Sequence, residues 1–101
     1  MEDELDPVIH AASRLRIMTA LAAIGKDSSL SFAKLADLLD MTPGNLSVHL
    51  TKLEKAGYVA IEKIFEGRKP ATFVAMSEQG RDAFDHYLAA LKKLLGPVDK
   101  G

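Results

Sequence analysis

With 101 residues, 48% of them hydrophobic and 27% charged, the chain is long enough for one core and too short for two, so a single domain over 1–101 is expected. The lack of cysteine excludes disulfides, thiolate metal sites, iron–sulfur clusters and cysteine nucleophiles, and it fits a reducing cytoplasm, the expected location. Net charge is −1, yet Glu2, Asp3, Glu4 and Asp6 crowd into an acidic tail over residues 1–6, leaving ten acids against thirteen bases elsewhere. No run approaches the ~20 apolar residues of a membrane helix, and Met1 to Asp6 lacks the basic-then-apolar pattern of a signal peptide. A soluble intracellular protein with no membrane partner is expected.

Asp6-Pro7 reads as a helix start, because Asp accepts from free backbone N–H groups and Pro at the first helical position forfeits no hydrogen bond. The helix is predicted from Pro7 to about Ile24. Val8, Ala11, Ala12, Leu15, Met18 and Ala22 form one apolar stripe, and Ile17, Leu21 and Ile24 a second, so it needs more than one neighbour, in part another subunit. After a turn at Gly25 to Ser29, Ser31 caps a short helix whose Phe32, Leu35, Ala36 and Leu39 share a face. Thr42-Pro43 starts a third helix, buried through Leu46, Leu50 and Leu53 and stopped at Gly57. The short Asp40-Met41 connection makes the last two a helix-turn-helix.

Tyr58 to Phe65 and Ala71 to Met76 are rich in β-branched and aromatic residues, and Glu66 to Pro70 supplies turn chemistry between them. Ser77 caps a last helix, 77–95, with Phe84, Leu88, Leu91 and Leu95 in one seam and Tyr87 and Leu94 beside it, until Gly96-Pro97 stops it. The predicted order is α-α-α-β-β-α, mainly helical with a small β-hairpin.

Three helices followed by a basic-tipped hairpin resemble a winged helix-turn-helix domain. The run Leu46-Ser47-Val48-His49-Leu50-Thr51-Lys52-Leu53-Glu54-Lys55-Ala56-Gly57-Tyr58-Val59 resembles the recognition helix and first wing strand of MarR/ArsR-like transcriptional regulators. Phe32 to Ala36 is similar to their second helix, Gly67-Arg68-Lys69-Pro70 to the wing tip, and Met76 to Arg81 to the start of their last helix, so the resemblance spans Asp6 to Leu95. It implies a homodimeric, prokaryotic, sequence-specific regulator that binds double-stranded DNA. Gly44 departs from the pattern, where larger polar residues are common; it weakens the helix by up to ~1 kcal/mol, or allows close approach to a phosphate.

Opposite Leu46, Leu50 and Leu53, the third helix carries Gly44, Asn45, Ser47, Val48, Thr51, Lys52 and Lys55, behind the cap residue Thr42. Small polar side chains enter a major groove ~12 Å wide, Asn pairs with adenine, and an aliphatic group meets a thymine methyl. Val48 fits that last use, although isolated surface valines also occur without one. Lys52 and Lys55 suit phosphate or guanine contacts rather than mere solvation, because they share the readout face. His49 lies at the flank, where a packed histidine and a DNA contact are both open; the family motif implies contact. Arg68 and Lys69 at the wing suit a minor groove or its phosphates, although a hairpin tip is also charged for solubility.

One domain with three or four phosphate contacts binds weakly at physiological salt, and a pair of domains removes that weakness. The expected dimer interface is Val8, Ile9, Phe84, Tyr87, Leu88, Leu91, Leu94 and Leu95, some of which also serve the monomer's own core. The alternative function, prompted by near-neutral charge and the acidic tail, is a winged-helix protein-interaction module that does not bind DNA. An enzyme is not expected: the chain has no Gly-x-Ser-x-Gly elbow, no phosphate-cradling glycine loop and no histidine pair at zinc-binding spacing. No cofactor is expected. Asp82 and His86, with His10 across a dimer, are the weak outline of a metal site of the kind some ArsR-like relatives carry, against the simpler reading of solvated side chains. The expected architecture leaves room for a small-molecule effector between the first helix, the last helix and the wing without identifying one.

Overall fold

The computed structural model describes residues 5–96. Seven elements follow in order: α1 (Ala12–Ile24), β1 (Leu30–Ser31), α2 (Phe32–Leu39), α3 (Pro43–Lys55), β2 (Val59–Glu66), β3 (Lys69–Met76) and α4 (Glu78–Leu95). The sheet is antiparallel with order β1-β3-β2. This is a winged helix, with α1 to α3 packed on the sheet and the β2–β3 hairpin as the wing. Glu2, Asp3 and Glu4 of the acidic tail lie outside the described residues, and so does Pro97, expected to help stop the last helix.

The predicted capping residues act as such. Ser31 Oγ accepts from Lys34 N at 3.0 Å, Thr42 Oγ1 from Asn45 N at 3.2 Å, and Ser77 Oγ from Gly80 N at 2.9 Å, each satisfying a donor that the first helical turn leaves free. Leu35, Leu39, Leu46, Leu50, Leu53, Val59 and Val74 gather with α1 into the core.

Three details differ from the sequence expectation. The first helix begins at Ala12 rather than Pro7. Asp6 and Pro7 do start helical geometry, with Asp6 O accepting from His10 N at 2.7 Å and Asp6 Oδ1 from Val8 N at 2.9 Å, but Ala11 is extended (φ −148, ψ 132) and ends it after one turn. That bend carries Ile9 into the core, where it is fully buried. Second, Leu30 and Ser31 form a strand, paired with Val74 and Phe73 on the edge of β3 that β2 leaves open. Third, the wing is longer than expected: Glu66 pairs with Lys69, and only Gly67 (φ 69) and Arg68 make the turn. Pro70 therefore sits within β3, at a level where β1 does not reach, so its missing N–H breaks no ladder on that side.

Both apolar faces of α1 are used inside the chain: Ile17, Met18 and Leu21 are buried, and Leu15, Ala22 and Ile24 pack against the same core. Its second face is therefore not a free surface for another subunit. Likewise Ile9, Phe84 and Tyr87, expected at the dimer interface, are covered within the chain, and Val8 and Leu91 are half-buried against its core. Leu88, Leu94 and Leu95 remain exposed, at 44%, 67% and 65%. α4 thus docks along one face as far as Ala90 and Leu91, and leaves Leu88 on its other side and its last turn uncovered, in a molecule measuring 57 × 24 × 22 Å. Among the described residues no helix is long and apolar enough to cross a membrane.

Gly80 sits where α4 crosses the start of β2. A Cβ on it would lie 2.0 Å from the Tyr58 carbonyl oxygen, a backbone atom that cannot step aside. Gly80→Ala is therefore expected to destabilise the protein by about 1–3 kcal/mol in chemical denaturation, the range of overpacked interiors. Gly44→Ala, with open space around it, is expected to stabilise by up to ~1 kcal/mol.

Candidate nucleic-acid interface

The recognition candidate is built by burial on one side. Leu46, Leu50 and Leu53 face the core, which leaves Gly44, Asn45, Ser47, Val48, Thr51, Lys52 and Lys55 exposed on the opposite side of α3. Two of its hydroxyls are engaged locally: Thr42 caps the helix, and Thr51 Oγ1 donates to Ser47 O at 2.9 Å. Arg68 and Lys69 are exposed at the wing, Arg68 in the turn and Lys69 directly across from Glu66. A cleft of about 350 Å³ separates α3 from the wing and is lined by Ser47, Leu50, Thr51 and Glu54 on one wall and Ile61, Lys63 and Thr72 on the other.

His49 is half-buried, and its partner could not be read from the sequence. Arg14 of α1, thirty-five residues away, donates from Nη1 to His49 Nδ1 at 3.2 Å, while its Nε donates to Val8 O. Arginine only donates, so Nδ1 must carry its lone pair and the imidazole proton resides on Nε2. Burial first, then the charges of Arg14 and Lys52, push the imidazole below its usual value. His49 is thus a neutral ring whose remaining polar atom, Nε2–H, is a donor suited to a phosphate oxygen or a base acceptor. Arg14 also joins Lys52 and Lys55 around a shallow cleft beside Pro7 and Val8, adding a cation that one-dimensional patterning of α1 gave no reason to select.

The C-terminal end of α3 is fixed by its backbone. Tyr58 N donates to Leu53 O and Gly57 N to Glu54 O, both at 2.9 Å, the paired Schellman bonds that accompany Gly57 at φ 84. Tyr58 OH donates to Asp6 Oδ2, and that carboxylate, with burial, holds the phenol's proton, its pKa pushed up to about 12. His10 is committed elsewhere than to Asp82 and His86: its Nδ1 shares a 2.8 Å hydrogen bond with Tyr87 OH. Among the described residues of the chain, no three His, Asp or Glu side chains gather as a metal-ligating group.

Helix-turn-helix, three-stranded sheet and projecting wing define a winged helix-turn-helix protein. Residues 13–95 match the winged helix DNA-binding domain family, and the chain belongs to it. A transcriptional regulator homologue from Pyrococcus horikoshii OT3 has the same fold with a TM-score of 0.82 and 30% identity, over 92% of this chain and 89% of that one. A MarR-family protein from Enterococcus faecalis V583 follows with a TM-score of 0.68 and 26% identity, over 83% and 72%. An uncharacterized protein of Methanocaldococcus jannaschii is 29% identical over 87 residues, 86% of this chain and 91% of that protein. The chain is a MarR-like winged-helix transcriptional regulator.

The lowered His49 value has a definite pH consequence. The unfolded chain takes up this proton first as pH falls, so the contribution of neutral His49 to stability is complete above about 6.5 and is lost as pH drops through the lower folded value. Stability is expected to fall below pH 6.5 less steeply in His49→Ala than in the parent. In Arg14→Ala the His49 pKa, followed by NMR, is expected to rise, because one of the neighbouring charges is gone.

Proposed function

We propose that the protein binds double-stranded DNA sequence-specifically as a homodimer, with α3 in the major groove and the wing on the flanking minor groove or phosphates. The observation that carries this reading is the uncovered face of α3, where side chains small enough to enter a groove are followed by two lysines. Asn45, Ser47 and Thr51 offer polar contacts to base edges, and Val48, 55% exposed on a polar face, offers a methyl-sized surface to thymine. Lys52 and Lys55, with Arg14 beside them, suit the phosphates, and His49 Nε2–H suits a phosphate or base acceptor.

The exposed leucines of α4 support pairing of two copies. Leu88, Leu94 and Leu95 are apolar, uncovered and on a helix that extends past the core, so a second copy related by a two-fold axis can bury them. Pairing doubles the phosphate contacts and presents two α3 helices to successive major grooves, about 34 Å apart.

Selection from a pool of random duplexes is expected to return a two-fold symmetric site with half-sites about one helical turn apart. Retention of no duplex at low salt overturns the DNA reading. Lys52→Ala is expected to reduce the slope of log affinity against log salt by about one, as loss of one phosphate contact requires. Leu94→Glu combined with Leu95→Glu is expected to shift sedimentation from dimer to monomer and weaken DNA binding, with helical content by circular dichroism unchanged.

A further inference from the structure

Phe65 is 74% exposed, the last residue but one before the wing turn, and its cross-strand partner is Pro70. Strand side chains alternate between faces, so Val59, Ile61, Lys63 and Phe65 share one face of β2, and their partners on β3 complete it. That face begins in the core at Val59 and Val74 and continues along the cleft that Ile61 and Lys63 share with α3. The Phe65–Pro70 pair is its outermost rung and belongs to the surface turned toward the recognition helix. The same alternation places Lys63 on this face and Glu62, Glu66 and Lys69 on the reverse, with Arg68 in the turn beyond, so this face is basic and the reverse is net acidic. A polyanion is attracted more strongly to the first face than to the second.

An isolated surface phenyl needs no explanation by itself. This one is backed by a proline ring, flanked by cations and carried at the tip of a hairpin. We infer that Phe65, supported by Pro70, packs against the deoxyribose edges lining the minor groove beside the segment read by α3, an apolar contact added to the phosphate contacts of Lys63 and Arg68. Minor-groove proteins carry apolar side chains, Phe among them, at the groove, where they wedge between base steps; a phenyl at the groove's edge meets the apolar faces of the sugar rings without that unstacking. Cross-strand pairing already fixes the backbone that carries the ring, so little backbone freedom is lost on contact. The inference rests on the DNA-binding reading above.

Phe65→Ala and Phe65→Leu, titrated against the selected duplex over a range of salt, test it. The alanine variant is expected to bind about tenfold more weakly, with the salt slope unchanged because no counterion-releasing charge is removed. The leucine variant is expected within about threefold of the parent, and Arg68→Ala, in contrast, is expected to lower the slope by about one. Hydroxyl-radical cleavage is expected to show the parent protecting minor-groove sugars flanking the α3 site and the alanine variant leaving them open. Phe65 lies outside the core, so the melting temperature of the alanine variant is expected to match the parent's. Unchanged affinity and footprint in a folded alanine variant overturn the inference, as does an affinity loss that coincides with dissociation of the dimer. A parent protein that binds no duplex overturns the underlying DNA reading too, and this is visible before any variant is made.

Discussion

The junction at Gly57 and Tyr58 fixes the relation between all the parts that matter. There α3 ends, β2 begins and α4 crosses. The Schellman bonds to Leu53 and Glu54 terminate the helix, Ser77 N donates to Tyr58 O at 3.0 Å, and Ser77 Oγ donates to Gly57 O. Ser77 also caps α4, so one residue joins the end of α3 to the first turn of α4. The absent Cβ of Gly80 lets the two backbones meet. Any tilt of α3 relative to the wing or to α4 would have to break several of these bonds together. The proposed spacing of two α3 helices on DNA depends on this rigidity, since an α4 that swivelled on its domain would blur the distance between half-sites.

How much of the structure was legible in the sequence depends on the range over which each signal acts. Thr42-Pro43, Ser31 and Ser77 act on donors three residues away, and Leu46, Leu50 and Leu53 mark a face through helical geometry alone, so the caps and the exposed side of α3 could be read directly. β1 could not, because two residues hold no period and its existence depends on an open edge of β3 more than forty residues later. The run Pro7 to Ile24 is uniformly helix-compatible, and the break at Ala11 comes from elsewhere: burial of Ile9 and the His10–Tyr87 bond pull the chain off the helical path. In the site itself, the polar face of α3 was readable, whereas Arg14 beside His49 was not, because contact between two helices leaves no trace in either one's spacing. The leucine seam of α4 was visible as a seam, but the division between its buried start and its exposed end depends on how far the core extends.

A net charge of −1 is compatible with a polyanion partner because placement outweighs the sum. Lys52 and Lys55 follow the exposed polar positions on α3, Arg14 joins them from α1, and the wing turns Lys63 inward while Glu62 and Glu66, with Lys69, face away. Asp6 is taken out of competition by its bonds to Val8 N and Tyr58 OH, which direct its carboxylate into the protein rather than toward a ligand. Fields at a surface fall off over about one Debye length, near 8 Å at physiological ionic strength, so acids on the reverse face of the wing weaken the attraction far less than a count of charges suggests.

The short segment before α1 connects the same parts by side chains. Asp6 holds Tyr58 at the junction, Val8 O accepts from the arginine that orients His49 on α3, and His10 meets Tyr87 on α4. Continued as helix from Pro7, this stretch would direct these groups around a cylinder at 100° steps, and they would not converge on three different elements. The bend at Ala11 is what lets five residues, Asp6 to His10, fasten α3, the start of the wing and α4 at once. Loss of a regular helical turn is therefore offset by burial of Ile9 and by hydrogen bonds that tie the half of the molecule carrying α3 to the half that carries the exposed leucines.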